Sequence, residues 1–338
     1  MVLSSRLSYN PKSNTWGDLT DTGESPVMAT PSFNHTALLT PAADTVILGG
    51  RNCEFSPDAD CLRTVMRFST ATLNTIFIPV YRDSAGSSVW PAGEKLNSKR
   101  AFHTSNLLPD GSILTCGGSD GTRSLATCEL MDPQTKKWAV TGSMNSPRAN
   151  HTATLLANGT VLAAGGITPA GIAVSSAEVY YPDTQRWVPI LSMAEARQLH
   201  TATLMPDGNV LVAGGAAPSA YSATAELYIS SAAHWLTTDS MDYGRSQHTA
   251  TLLKNGNVLV AGGINSLGAI TETGVYDYIL RTFSAGPSLT TARYSHAANQ
   301  LRDGNVIVTG GSSSTDSLKS CEIYNGTNWT ETTGLNLP

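Results

Sequence analysis

The segment RANHTATLLANGTVLAAGG, residues 148–166, decides the fold because it recurs along almost the whole chain of 338 residues. The other copies, three close and two looser, begin at Arg197, Arg245, Arg293, Arg100 and Ser32. Every copy has a histidine at its fourth position, which gives the series His35, His103, His151, His200, His248 and His296. After a longer first interval, successive histidines recur with a period of about 48 residues, which indicates stacked or circular supersecondary units rather than independent domains.

One repeat, taken from His151, contains four short runs rich in β-branched and aliphatic residues, which predict strands. We label these strands a to d, and they cover residues 151–156, 161–164, 177–180 and 187–190. Asn158-Gly159 separates strands a and b, as expected for a tight hairpin turn. Gly165-Gly166 follows strand b, and two residues without a Cβ let another part of the backbone come close. Each repeat is therefore predicted to be a four-stranded antiparallel meander.

Three features recur together in these units. Gly-Gly follows strand b, Glu-x-Tyr lies in strand c at Glu178, Glu226 and Glu322, and an aromatic residue stands at a constant offset before the next histidine. The aromatic residues are Trp90, Trp138, Trp187, Trp235 and Phe283. In this combination the repeat resembles the kelch repeat of β-propellers. The resemblance covers nearly all of residues 1–338 and implies a single all-β domain, a kelch-type β-propeller of four-stranded antiparallel blades around a channel.

The strands do not divide evenly into blades, because the sequence holds six a–b pairs but seven c–d pairs. The extra c–d pair is the N-terminal half-blade, residues 1–20, with Tyr9 and Trp16 in the strand c and strand d positions. We expect six full kelch repeats over residues 33–338 in addition to that half-blade. The alternative is a seven-bladed ring whose last a–b pair lies beyond Pro338. An open strand edge would favour self-association.

Composition narrows the classes of partner. Only 14% of the residues are charged, the net charge is −5, and no basic stripe exists, which argues against nucleic acid. No apolar stretch approaches the roughly 20 residues of a membrane-spanning helix. The low charge, together with abundant Ser, Thr, Ala, Asn and Gly, is typical of a secreted protein or one on the cell surface. We therefore expect an extracellular or cell-surface location.

The five cysteines are Cys53, Cys61, Cys116, Cys128 and Cys321. Cys53 and Cys61 enclose one loop and could form a disulfide in an oxidising compartment. Cys116 and Cys128 fall in neighbouring strands of one blade, so they could be adjacent. We nevertheless interpret Cys128 and Cys321 as small core residues, since other repeats have alanine at the same place.

The recurring charged residues are the candidate ligand-binding residues. Arginines precede strand a in five repeats, at Arg100, Arg148, Arg197, Arg245 and Arg293. We expect them at one mouth of the channel, where they could bind a carboxylate or an acidic peptide. The competing interpretation is internal pairing with the strand c glutamates, because a buried charge needs a partner. That interpretation predicts that Arg148, Arg197 and Arg245 are buried.

Neither the histidines nor the family resemblance predicts a catalytic centre. One histidine per repeat occupies equivalent environments rather than a single metal site, so we expect each imidazole to bond to neighbouring backbone. The kelch class includes copper-radical oxidases similar to galactose oxidase, which need a Tyr next to a His, and a Cys cross-linked to a Tyr. Here Tyr294 and His296 are separated by Ser295, and no cysteine has an obvious tyrosine partner.

We therefore predict a non-enzymatic binding module for a protein or a glycan, without a cofactor or metal. One alternative is a copper-dependent oxidase that resembles galactose oxidase. The other is a structural subunit that assembles through its unmatched half-blade.

Overall fold

The computed structural model describes residues 96–332 except 136, 218–219 and 302, together with seven short strands before residue 90. All of the regular structure in this part of the chain is β-strand, with no helix. The prediction of an all-β chain built from four-stranded antiparallel sheets is therefore confirmed. We name each repeat by its histidine, so that the His151 repeat is the one that begins with His151.

Five four-stranded sheets follow one another along the chain, and each has its strands paired in sequence order. In the His103 repeat they are β8 Thr104–Leu107, β9 Ile113–Cys116, β10 Cys128–Met131 and β11 Trp138–Thr141. In the His151 repeat they are β12 Thr152–Leu155, β13 Val161–Ala164, β14 Ala177–Tyr181 and β15 Arg186–Ile190. In the His200 repeat they are β16 Thr201–Leu204, β17 Val210–Ala213, β20 Ala225–Ile229 and β21 His234–Thr237. In the His248 repeat they are β22 Thr249–Leu252, β23 Val258–Ala261, β26 Thr273–Asp277 and β27 Thr282–Ala285. In the His296 repeat they are β28 Ala297–Gln300, β29 Val306–Thr309, β30 Cys321–Tyr324 and β31 Trp329–Thr332.

Two short hairpins extend the loops between strands b and c. They are formed by β18 Ala216–Ala217 with β19 Ala220–Tyr221, and by β24 Ile264–Asn265 with β25 Gly268–Ala269. We refer to them as the b–c hairpins. They belong to neighbouring repeats, so they lie on the same face of the protein, where each chain segment also enters strand a.

The N-terminal strands are β1 Leu7–Asn10, β2 Thr15–Asp18, β3 Thr36–Leu39, β4 Thr45–Leu48, β5 Val65–Phe68, β6 Tyr81–Arg82 and β7 Ser88–Val89. β1 pairs with β2 so that Tyr9 lies opposite Trp16, the register expected of strands c and d. β3, β4 and β5 form a three-stranded sheet. The fourth strand predicted at Trp90 lies outside the described residues. The choice between six and seven blades stays a prediction.

The hydrophobic core lies between successive sheets rather than within one of them. In β13, Val161 and Ala163 pack with the His103 repeat, while Leu162 and Ala164 pack with the His200 repeat. Because side chains alternate along a strand, the same strand contributes to two cores, and all four of these residues are buried. This explains why strand b is apolar at most of its positions in every copy.

The order of the strands from inside to outside follows from their neighbours. The first strands of successive repeats, β3, β8, β12, β16, β22 and β28, contact one another in chain order. Strand d is at the far edge of each sheet, where its aromatic residue packs on the tyrosine of strand c, as Trp187 does on Tyr180 at a ring-centroid distance of 5.2 Å. Strand a is therefore innermost and strand d outermost, as the sequence predicts.

The Gly-Gly pair after strand b makes a close contact between repeats that recurs along the chain. Gly165 has φ +65°, and a Cβ built there would lie 2.5 Å from the Arg197 carbonyl oxygen and 2.7 Å from Cε1 of His200. The next glycine, Gly166, donates its backbone N–H to the same Arg197 carbonyl at 2.8 Å. Residues with a side chain would force the sheets apart, so glycine is needed here for both conformation and space.

A second set of backbone hydrogen bonds links the residues that precede the histidines. Each of these residues has a left-handed backbone; they are Phe102, Asn150, Leu199, Gln247 and Ser295. From Asn150 onward, the backbone N–H of each donates to the carbonyl oxygen of its counterpart in the preceding repeat, for example from Leu199 to Asn150 at 3.1 Å. The strain of a positive φ in these non-glycine residues is thus offset by contacts between repeats.

We predict that replacing Gly165 with alanine separates the cost of close packing from the cost of a left-handed backbone. Gly171, with φ +72° and no atom within 4 Å of a built Cβ, is the matched control. Both substitutions should lose about 1–2 kcal/mol for the left-handed conformation. Gly165→Ala should lose a further ~1–3 kcal/mol from overpacking against the next repeat. Urea denaturation measures both, and equal losses would contradict the close-packing account.

Candidate functional site

The arginines before strand a are buried, with 0–2% of each residue exposed. In the His151 repeat, Arg148 donates from Nη2 to Oε1 of Glu178 at 2.9 Å and from Nη1 to the carbonyl oxygens of Gly165 and Ser176, both at 2.8 Å. The same carboxylate pairing occurs at three other repeats, in Arg100–Glu129, Arg197–Glu226 and Arg293–Glu322. The guanidinium therefore joins the start of strand a to the b–c loop of its own sheet.

The paired carboxylate is satisfied by backbone groups as well. Glu178 accepts hydrogen bonds from the N–H groups of Asn145 at 2.6 Å and Ser146 at 3.0 Å. These two residues belong to the connection that arrives from strand d of the preceding repeat. Hydrogen bonds from other groups help to stabilise a buried ion pair. Both carboxylate oxygens of Glu178 have such partners, whereas Nε of Arg148 is buried without one.

The structure thus shows internal pairing where the sequence allowed either pairing or an open rim. Arg148 and Arg197 are buried and carboxylate-paired, as the pairing interpretation predicts, and Arg245 is buried but has only backbone carbonyl partners among the described residues. The guanidinium groups do not point freely into a channel mouth. Their role in ligand binding stays a prediction, and the geometry directs it to Arg245.

The histidines that begin the repeats at His151, His200, His248 and His296 each contact the preceding repeat. The Thr152 Oγ1 and His200 Nε2 atoms share a hydrogen bond of 2.8 Å, and the same contact links three further Thr–His pairs at 2.9–3.0 Å. The sequence predicted a backbone partner for these imidazoles, and that detail is wrong, since the partner is a threonine side chain. In the sequence, a threonine directly follows the histidine in every repeat except the one at His296, where Ala297 takes its place.

Burial keeps these imidazoles neutral. It lowers the pKa of His200 to about 3, with the positive charges of Arg197 and Arg148 acting in the same direction. Burial also lowers the pKa of His296 to about 3, again with an arginine, Arg293, contributing. A neutral, buried and already hydrogen-bonded imidazole serves packing between repeats rather than proton transfer.

The cysteines differ from the expectation in one respect. Cys116 and Cys128 face each other across strands β9 and β10 and form a disulfide. We predicted Cys128 to be a small core residue. It is fully buried, but it also forms a disulfide, so that prediction was incomplete. Cys321, at the equivalent place, is a buried cysteine as expected. The predicted Cys53–Cys61 pair lies outside the described residues.

A cleft of about 530 Å³ opens between the two b–c hairpins. Its lining includes Tyr221 from one hairpin, Asn265 and Ser266 from the other, and Gly244 between them. Tyr221 is 37% exposed, and the neighbouring hairpin tip presents Leu267, which is 92% exposed. A concave surface of this size, with an exposed aromatic ring and a few polar groups, has the character of a ligand site.

Sequence reasoning missed this cleft. The sequence pointed instead to the recurring arginines, which lie before strand a and outside these hairpins. The sequence held only a weak indication of the cleft, namely the large apolar residues Tyr221 and Leu267 in the b–c loops of the His200 and His248 repeats. Loop tips carry no periodic pattern, so their shape could not be read from the repeat.

Comparisons with known proteins agree on the fold. Residues 103–145 match the family described as the Kelch motif. The solved structure of YjhT is similar with a TM-score of 0.67 at 12% sequence identity, over 90% of this chain and 99% of that chain. The structure of a fungal alcohol oxidase of the AA5 family, in complex with copper, is similar with a TM-score of 0.70 at 16% identity, over 91% of this chain and 64% of that chain. No curated protein sequence matches the chain.

Among the described residues, no group of three or more His, Cys, Asp or Glu side chains is placed to hold a metal ion. The histidines are distributed one to a repeat, and four of them have Nε2 occupied by threonine. Likewise, none of the described residues forms a helix with the length and apolar character needed to span a bilayer.

We predict that breaking one internal ion pair is costly. Arg148→Ala leaves the Glu178 carboxylate buried beside two backbone N–H groups, and it should lower the free energy of unfolding by ~3–5 kcal/mol. The exposed pair Arg123–Asp120, 3.6 Å apart, is the control, and Arg123→Ala should lose less than ~1 kcal/mol. In a double-mutant cycle with Glu178→Ala, the double variant should lose less than the two single losses combined. Additive losses would mean that the pair is not coupled.

We also predict that stability falls on the acid side because of the buried histidines. The unfolded chain takes up a proton near pH 6.5, whereas folded His200 does so only near pH 3. The contribution of the neutral His200 imidazole to the free energy of unfolding is therefore fully present above about pH 6.5. This contribution is lost as the pH falls towards 3. His200→Gln should remove ~1.4 kcal/mol per pH unit of this slope between about pH 5.5 and 4. Urea denaturation at several pH values measures it, with His234→Gln as control. An unchanged slope in His200→Gln would contradict a buried neutral imidazole.

Proposed function

Because the chain is a kelch-type β-propeller, we propose that it is a binding module that takes a protein or glycan ligand on the face of the b–c hairpins. The single observation that carries this proposal is the cleft of about 530 Å³ between the two hairpins. The repeated sheets supply a rigid base, and the hairpins vary between repeats. Loops on a rigid scaffold are where binding sites commonly arise.

The chemistry of the cleft suits an amphipathic ligand. The half-exposed ring of Tyr221 offers an apolar face with a hydroxyl at its edge. On the opposite side, the Asn265 amide supplies donors, while its Oδ1 already accepts from the Leu267 N–H at 2.9 Å. The Ser266 hydroxyl adds a donor and an acceptor. A sugar ring or a peptide segment presents the same mixture of apolar faces and hydrogen-bonding edges.

We propose an extracellular or cell-surface setting for this binding. The Cys116–Cys128 disulfide supports it, because disulfides persist in oxidising compartments. The low content of charged residues, 14%, supports the same location.

Metal analysis of the purified protein separates the binding module from the oxidase alternative, since near-stoichiometric copper would contradict the proposal.

We predict that Tyr221→Ala weakens ligand binding at least tenfold, about 1.4 kcal/mol, because an aromatic residue in a cleft carries much of the contact. The ligand is found first, by a glycan array and by pull-down from native extract with the wild-type protein. The affinity of the variant for that ligand is then measured by calorimetry. Tyr181→Ala is the matched control, since Tyr181 is 42% exposed and lies at the c–d turn, on the opposite face. Equal loss in both variants, or none in either, would count against the cleft.

A further inference from the structure

The His248 repeat departs from the others at one position of strand c. Where the other described repeats have Glu129, Glu178, Glu226 and Glu322, β26 has Gly274 in the sequence Thr-Gly-Val-Tyr. The arginine is nevertheless retained as Arg245, and the residue is 2% exposed. The repeat thus keeps a buried guanidinium but lacks the carboxylate that pairs with it elsewhere.

Three hydrogen-bond donors are left in the place of that carboxylate. In the other repeats the glutamate accepts hydrogen bonds from Nη2 of the arginine and from two backbone N–H groups. These N–H groups belong to the residues three and two positions before the arginine. For Glu129, which pairs with Arg100, they are Asn97 and Ser98. Here the corresponding groups are Nη2 of Arg245 and the N–H groups of Asp242 and Tyr243. Within the described part of the chain, none of these three donors has an acceptor, whereas Nη1 keeps its bonds to the carbonyl oxygens of Gly262 and Glu272.

A cavity occupies the position of the missing side chain. It is lined by Arg245, Asp242 and Tyr243 on one side and by Gly274, Phe283 and Ser284 on the other. The space open to the centre of a water-sized sphere is about 10 Å³, which is room for one oxygen-sized group. Tyr243 and Ser284, which line the cavity, are exposed, so the rest of a small ligand can extend towards solvent.

The charge in this cavity favours an anion. Burial lowers the pKa of Arg245 to about 10, against the opposing influence of Glu272, Asp242 and Tyr243, so the guanidinium is still charged at neutral pH. Glu272 is half-buried and Asp242 exposed, and neither forms an ion pair with Arg245 among the described contacts. A buried cation without a close counter-charge is costly, and an anion that binds beside it relieves that cost.

We propose that this cavity is a binding site for a small carboxylate such as formate, held by Nη2 of Arg245 and the backbone N–H groups of Asp242 and Tyr243. The bound carboxylate takes the position that the glutamate carboxylate has in the other four repeats. Its two oxygens match the donor set there, with one oxygen shared by the guanidinium and one N–H and the other on the second N–H. The site is separate from the cleft between the b–c hairpins.

The test is thermal unfolding of the full chain in sodium formate and in sodium chloride at equal ionic strength. Formate should raise the melting temperature of the wild type above that in chloride, saturably, and by on the order of 2–4 °C at ten times its dissociation constant. Gly274→Glu supplies the carboxylate internally. Its built Cβ lies 3.6 Å from the Ser284 carbonyl oxygen and 3.8 Å from Cδ1 of Phe283, which are ordinary contacts. This variant should melt higher than the wild type and lose the formate effect.

Two further variants keep the test decisive. Glu178→Gly recreates the cavity in another repeat, so the gain from formate should be larger than in the wild type. Glu272→Gln removes the nearest rival carboxylate and should leave the formate effect intact. The proposal is overturned if the wild type melts equally in formate and chloride, or if Gly274→Glu responds to formate as the wild type does. A third outcome also overturns the proposal: the Glu272→Gln variant is less stable than the wild type and responds to formate, while the wild type does not. In that case the Glu272 carboxylate itself occupies the site in the wild type.

Discussion

The buried arginine–glutamate pair is the interaction on which the repeats that contain it depend. It connects three segments that are distant in sequence: the connection from the preceding strand d, the start of strand a and the loop before strand c. Removing two charges from water is expensive, and their attraction offsets that cost only when the geometry is close and further hydrogen bonds satisfy the carboxylate. Glu178 meets that condition through Arg148 and the N–H groups of Asn145 and Ser146. The pair therefore specifies one arrangement of these segments, because any other would leave a charge buried alone.

The contacts between repeats follow from that arrangement. Once Arg197 is fixed, its carbonyl oxygen stands where Gly166 of the preceding repeat donates to it, and only glycine at position 165 leaves the necessary space. The imidazole of His200 then lies beside Thr152. Polar contacts thus set the spacing of the sheets, while the alternating side chains of strand b fill the volume between them. Apolar contacts are not directional, so the core alone does not fix how neighbouring sheets are aligned. These few polar contacts fix that alignment.

Much of this could be predicted from the sequence. The regular spacing of the histidines, the Asn-Gly and Asp-Gly turns and the apolar runs indicate the four strands, their order and the inner position of strand a. The internal pairing of Arg148 with Glu178 also follows, since both recur with the same period. The Thr–His contact was missed because it joins two repeats, and a pattern within one repeat does not reveal its partner in the next. The cleft at Tyr221 was missed since it depends on how two loop tips are placed. The Cys116–Cys128 bond was underrated, because each cysteine alone resembles a small core residue. The change at Gly274 was readable, however, as the one glycine among four glutamates.

The threonine–histidine contact has a consequence for how such a chain can change its length. A repeat such as the one at His200 offers a threonine to the unit that follows and a histidine to the unit before it, so it carries complementary halves of the same joint. A duplicated unit brings both halves with it, and a deleted unit leaves two matching halves behind. Duplication or deletion of a whole unit therefore preserves the same contact between the units that become neighbours. The His248 repeat shows where novelty is tolerated: it keeps both halves of the joint and varies inside its own sheet.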